Sequence, residues 1–171
     1  MNIEHLGELT ADPRIEEWLV SSEVDIPCLP GIRLPFVLEG FEDDPAPAEF
    51  IAAIGKFLGL SVEDRNEATQ CVFKNYSEFV DAVDEEDVNV DIGIPSDVWK
   101  HVHPSAVYVL RQYYGDKKVY VRITAECDWE QEHGLQIVYR EGNQLARVSD
   151  QDGHLTYSDA YAIPESNNYI C

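Results

Sequence analysis

Glu130-x-x-His133 sets a carboxylate and an imidazole at the spacing that, on a helix, puts two ligands on one face of a carboxylate-bridged di-metal bundle. The segment reads instead as a strand end, and no second copy of the motif occurs. Solvated carboxylates beside a His133-Gly134 turn account for the same residues. Asp150-x-Asp152-Gly153 has the acid spacing of the middle of a calcium loop, but the first ligand position falls on Val148 and the last on Asp159 in place of Glu. An Asx-type turn closing a hairpin is the expectation there. His101-x-His103 pairs two imidazoles on one side of an extended segment, without the further ligands that zinc requires. Two alternative readings are a housekeeping domain whose acidity serves only solubility, and a small metal-dependent hydrolase that would draw on His133, Glu130, Asp152 and His154 and requires those side chains to converge. Cys127 lies between Glu126 and Asp128, whose charges disfavour a thiolate, so it reads as a small core residue. No GxSxG, GxGxxG, P-loop or HExxH sequence occurs, and the chain is read as non-enzymatic, with no cofactor.

The acids that remain form a pattern. Glu126, Asp128, Glu130 and Glu132 alternate with an odd-numbered apolar row, Val119, Val121, Ile123, Ala125, Cys127 and Trp129. Successive side chains of a strand point to opposite faces, so one long strand would bury the odd row and present the carboxylates in a ladder on the other face. Trp129 beside those carboxylates, or Tyr114, is the aromatic that would anchor a basic partner by stacking on Arg or Lys. The register of Trp129 places it with the buried row. A second acidic stretch, from Asp81 to Asp91, holds Asp84, Glu85, Glu86 and Asp87 and no base, which suits a solvated loop or helix end.

The whole chain shares this sign. Its 171 residues carry 33 Asp plus Glu against 12 Lys plus Arg, a formal charge of -21. Nucleic acid is excluded as a direct ligand on this reading, because binding a polyanion relies on Lys and Arg clusters. Hydrophobic content of 44% places the chain among folding sequences despite the charge, and the length suits one domain over residues 1–171. No stretch approaches the ~20 apolar residues of a membrane span, and the opening MNIEHLGELTADPR has acids where a secretory signal needs a basic start. Cys28, Cys71, Cys127 and Cys171 show no CxxC or Cys-His ligand spacing and are expected to be free thiols in a reducing, cytoplasmic setting.

The elements that must position these residues are legible in outline. Runs at Trp18 to Ser21 and Ile32 to Leu38, punctuated by Pro27, Pro30, Gly31 and Pro35, predict a small antiparallel element. Asp44 with Pro45 or Pro47 opens a helix whose stripe is Phe50, Ile54, Phe57 and Leu58, and Gly59 ends it. Ser61 and Asp64 make a capping box for a second helix with Ala68, Val72, Tyr76, Val80 and Val83 on one face and a break near Asn75. Strands at Val107 to Leu110, Val119 to Trp129, Leu135 to Tyr139 and Leu145 to Val148, separated by glycine-bearing turns, predict an antiparallel meander. The fold class is α+β, a mostly antiparallel sheet with about two helices packed on one face.

The segment Glu126-Cys127-Asp128-Trp129-Glu130-Gln131-Glu132-His133-Gly134-Leu135, continuing through Gly142 to Asp152-Gly153-His154, resembles a family of uncharacterised bacterial α+β proteins with a CDWExEHG hairpin. Ile26-Pro27 with Pro30-Gly31 is similar to that family too. The family is a domain of unknown function, and it resembles small acidic immunity proteins of bacterial toxin systems. That resemblance implies a basic protein partner, such as a toxin with nuclease activity, and supplies no catalytic residues. The expected contacts are Glu126, Asp128, Trp129, Glu130 and Glu132 with Asp84, Glu85, Glu86 and Asp87.

Overall fold

Two apolar periodicities build the molecule, one of two residues in the strands and one of three to four in the helices. The computed structural model describes residues 1–84 and 88–171, so Glu85, Glu86 and Asp87 lie outside the described residues. In chain order the elements are β1 (Asn2–Ile3), β2 (Gly7–Ala11), β3 (Trp18–Ser21), β4 (Val24–Asp25), β5 (Arg33–Leu34), β6 (Phe36–Glu39), α1 (Pro47–Leu58) and α2 (Asn66–Ala82). They continue with β7 (Val102–Arg111), β8 (Val119–Cys127), β9 (Leu135–Arg140), β10 (Gln144–Asp150) and α3 (Tyr157–Tyr161). The fold is α+β. Eight strands form one sheet in the order β1-β2-β3-β6-β7-β8-β9-β10, and β4 pairs with β5 apart from it.

The N-terminal strands are not a separate element, as their proline-rich sequence implies. β6 pairs in parallel with β7, Phe36 opposite Val107, and so joins the N-terminal hairpins to the C-terminal meander. The long connection between these two strands contains both α1 and α2, as a parallel pairing requires. α1 lies against β7 and β8, and α2 against β10.

α1 begins with Pro47 in its first turn and buries Phe50, Ala53, Ile54 and Phe57. Asp44 does not cap it through the helix; its Oδ1 accepts from Ala46 N, and its carboxylate receives two guanidinium bonds from Arg111, at 2.7 and 2.8 Å. The Ser61–Asp64 box forms reciprocally, with Asp64 Oδ2 accepting from Ser61 N and Oγ and Ser61 Oγ accepting from Asp64 N, but it closes the turn that precedes α2, whose N-cap is Arg65 without a side-chain bond. α2 then runs unbroken through Asn75, because that side chain is occupied outside the helix and does not compete with its backbone. Ala68, Val72 and Tyr76 are buried on its inner face.

The main core lies between the helices and the odd-numbered face of the sheet, where Val119, Val121, Ile123, Ala125 and Cys127 are all buried. Phe57 packs edge-on to Phe36 and to Tyr139, and complete burial of such a ring contributes about 2–3 kcal/mol. The even-numbered face departs from the solvated face that the alternation implies. Tyr120 and Thr124 are buried there, and Tyr120, Val138, Ala146 and Leu155 make a second, smaller core. Its cover comes from the chain after β10, which folds back so that Tyr157 Oη donates to Val148 O and Arg147 lies over the Tyr157 ring.

The thiols also differ from expectation. Cys71 on α2 and Cys171 form a disulfide, their Cα atoms 5.5 Å apart across a sequence separation of 100. Cys28 and Cys127 are free and buried. The bond ties the C-terminal tail to α2, and Val148 N donating to Ile170 O ties the same tail to β10.

Gly142, in the β9–β10 turn, has φ +90°, and a Cβ placed there would sit 2.0 Å from the Ala53 carbonyl oxygen on α1. Only glycine lets the turn approach the helix so closely. Gly142→Ala is therefore expected to lower the unfolding free energy by about 2–3 kcal/mol through strain and overlap, read as a reduced urea midpoint with unchanged m-value. Replacing both Cys71 and Cys171 by Ser is expected to cost about 2–4 kcal/mol, because the cross-link closes a long loop of the unfolded chain. Equal urea midpoints for the double variant and the oxidised parent would refute that expectation.

Candidate functional site

The acidic segment after β8 is a turn and not a ladder. β8 ends at Cys127, where the thiol donates to Glu130 O and Asp128 N donates to His101 O, and the chain leaves the strand direction. Only Glu126 projects from the even face of the strand, and it is exposed. Asp128 is held by two imidazoles, with His101 Nδ1 at 3.0 Å from one carboxylate oxygen and His103 Nε2 at 2.7 Å from the other. This requires the proton on Nδ1 of His101 and on Nε2 of His103. The two rings, His103 above all, hold the Asp128 carboxyl below its ordinary value. The paired histidines of the sequence thus have a carboxylate partner.

Glu130 is a turn cap: Oε1 accepts from Glu132 N at 2.9 Å and Oε2 from His133 N at 2.8 Å. Burial works to raise its carboxyl, but those two N–H groups and His133 outweigh it and hold the carboxyl below the usual range. Glu132 and His133 are exposed, and ligand atoms of Glu130, Glu132 and His133 lie within 4.8 Å of one another. Asp152 and His154 do not join them. Among the described residues, no hydrogen bond or ion pair links those two to Glu130 or His133, so the four-residue hydrolase site is not assembled. Trp129 is 2% exposed, packs edge-on to Tyr76 and donates from Nε1 to Asn75 Oδ1, which makes it a buried lock between hairpin and helix and removes it as a surface anchor. Tyr114 is exposed but lies in the β7–β8 loop, at the opposite end of β8 from this turn. Asp84 is exposed just beyond α2, and the remainder of its acidic run lies outside the described residues.

Desolvation pushes the Cys127 thiol up to about 12 and the Cys28 thiol up to about 11, so neither is a nucleophile at neutral pH.

A second arrangement lies on the even face, which the C-terminal segment covers only in part. Trp18, Ser105, Tyr108, Arg122, Thr124, Glu126, Gln136, Gln151 and Gly153 line a concavity of about 380 Å³. Its residues come from β3, β7, β8, β9 and the loop after β10, brought side by side by the sheet register: Thr124 lies opposite Gln136, and Gln136 opposite Ser149. Gln136 is fully buried; its Nε2 donates to Ser149 Oγ, Asp152 Oδ1 and His154 O. Arg122 lies over the Tyr108 ring and reaches Glu39 at 3.4 Å. Reading the sequence for acids missed this site. Its signal is a glutamine inside the otherwise apolar run of β9 and the polar pair Arg122 and Thr124 on β8.

Asp152, far from a calcium ligand, is committed to Arg147. The guanidinium donates to both carboxylate oxygens, at 2.8 and 2.6 Å, while Asp152 Oδ1 also accepts from His154 N in the expected Asx-type turn. The model of one protein family matches residues 5–155, a span that contains this network, the acidic turn and the concavity. The chain belongs to the domain of unknown function DUF6985. No curated protein and no solved structure matches it. The family match stops before α3 and Cys171, so the disulfide-tethered tail lies beyond the DUF6985 span.

The Arg147–Asp152 pair makes a pH-dependent contribution. Burial works to raise the Asp152 carboxyl, but the Arg147 and His154 bonds prevail and hold it below 3.8. A carboxyl depressed by folding stabilises above its unfolded value and loses that contribution as pH falls through its folded value, so the window lies below about pH 4. Asp152→Asn leaves Arg147, whose side chain is 2% exposed, without its counter-charge. The expected cost is about 2 kcal/mol at pH 7, moderated because Asp152 keeps solvent on one side. Urea titrations at pH 7 and pH 3 should show the gap between variant and parent narrowing in acid.

Proposed function

We propose that this member of DUF6985 is a non-enzymatic acidic binding protein that engages a basic protein partner, most concretely an immunity protein covering the cationic cleft of a toxin such as a nuclease. The observation that supports this reading most is how the chain spends its few cations. Arg14, Arg33, Lys74, Lys100, Arg111, Lys118, Arg122, Arg140 and Arg147 each meet a carboxylate of the same chain. With 33 acids against 12 bases, the uncompensated charge is carried by surface carboxylates. A field of one sign accelerates encounter with a positive cleft and occupies the place of a phosphate substrate, while buried contacts set specificity.

Glu126 and Glu132 are the contacts best placed in the turn region, because Asp128 and Glu130 already serve internal bonds. The run from Asp84 to Asp87 is the second proposed contact. The test is co-expression with the product of the adjacent open reading frame, followed by size-exclusion chromatography at low and high ionic strength. A complex that weakens with salt, together with rescue from that product's toxicity, is the expected result. The paired substitutions Glu126→Gln and Glu132→Gln should slow association by about ten-fold at low salt. An association rate that ignores both substitutions and salt would remove this surface from the account.

A further inference from the structure

We infer that the concavity on the even face of the sheet is a binding site for a small, neutral, polyhydroxylated ligand of the saccharide class. The inference rests on polar groups that the fold has buried and left unpaired. The two hydrogens of Gln136 Nε2 face three acceptors, which sets this end as the amino group, and the Oε1 at the other end is buried without a partner. Arg122 Nε, on the neighbouring strand and the same face, is buried without a partner as well. Two further unpaired atoms, Arg65 Nε and Arg147 Nε, belong to residues outside the concavity's lining, Arg65 over the Trp99 ring and Arg147 over the Tyr157 ring. Buried polar atoms in native folds are nearly all satisfied, so two exceptions on residues that line one concavity mark a place where the fold keeps hydrogen-bonding capacity for something else.

The chemistry of that something follows from the inventory. Gln136 Oε1 asks for a donor and Arg122 Nε for an acceptor, and the Ser105 and Thr124 hydroxyls, 3.0 Å apart and already bonded to the carbonyl oxygens of Thr124 and Ala106, offer a ligand their lone pairs. A hydroxyl both donates and accepts, so a ligand with several adjacent hydroxyls carries both kinds of partner. The wall opposite is aromatic. Trp18 is half-buried and meets Tyr108 edge-on at 6.1 Å, and since Arg122 occupies a face of Tyr108, Trp18 is the ring left to stack on the apolar face of a sugar. Charge selects against an anion: Arg122 is already balanced by Glu39, Glu126 stands at the rim, and the chain carries -21. The volume of about 380 Å³ is at the small end for ligand sites, which suits one or two sugar rings.

The test uses the oxidised 171-residue chain labelled with nitrogen-15. Glucose, galactose, mannose, N-acetylglucosamine, maltose and cellobiose are titrated while the side-chain amide signals of Gln136 and Gln151 and the Nε–H signal of Arg122 are followed. Acetate and inorganic phosphate serve as comparators. The expected result is saturable movement of those signals by at least one sugar, with a dissociation constant in the millimolar range or tighter. Trp18→Ala should weaken it about ten-fold, and Ser105→Ala, an exposed and structurally mild change, about three-fold, at unchanged melting temperature for the latter. Absence of saturable movement with every sugar overturns the inference, as does movement that persists equally in both variants. Tighter binding of acetate or phosphate at the same signals overturns the neutral assignment. Salt leaves sugar binding unchanged, so this outcome stands or falls separately from the salt-sensitive protein complex.

Discussion

Strands β8 and β9 are buried along most of both faces, and that double coverage constrains the rest of the molecule. On the odd face the requirement is only apolar, and α1 and α2 meet it. On the even face the strands carry Arg122, Thr124, Gln136 and Arg147, which need partners before they can be buried. Arg147 recruits Asp152, Asp152 holds Gln136, and Gln136 in turn takes His154 O, so the loop after β10 is drawn over the sheet by polar bonds before Leu155 seals the small core. The concavity is the part of that face the loop does not reach. Its position follows from where Arg147 anchors the loop after β10.

The parts of this design that depend on neighbours in sequence were legible there. The odd-row alternation of β8, the Phe50, Ile54 and Phe57 stripe of α1 and the Ser61–Asp64 box are each local patterns, and each occurs in the structure. What failed depends on distant segments. The even face of β8, which ends in Arg122, Thr124 and Glu126, has the look of a solvent face, yet Tyr120 on it is buried under Leu155, some thirty-five residues on. The β6–β7 pairing spans two helices, and spacing says nothing of how close Cys71 comes to Cys171. The acidic ladder failed for a different reason. Residue types keep alternating from Glu126 to Glu132, but the Cys127 and Asp128 bonds bend the backbone, and alternation in type then no longer means alternation in direction.

Charge is handled by the same economy. Asp44 and Asp116 hold Arg111 and Arg140 where the β7–β8 end meets α1 and β9, as Asp152 holds Arg147, and each of these carboxyls is kept below its ordinary value. These inner cations are therefore balanced in place, and the excess acid stands on the exposed surface. That separation matters for function. A partner protein of the kind proposed would meet the uncompensated field, which salt screens over about 8 Å at physiological strength, whereas a ligand in the concavity would meet paired charges and fixed hydrogen-bonding atoms that salt hardly affects. Glu126 is common to both environments, at the end of β8 where the acidic turn begins and at the rim of the concavity. A protein docked on the turn would therefore stand at the mouth of the small-ligand site, and the two kinds of recognition would meet at a single carboxylate.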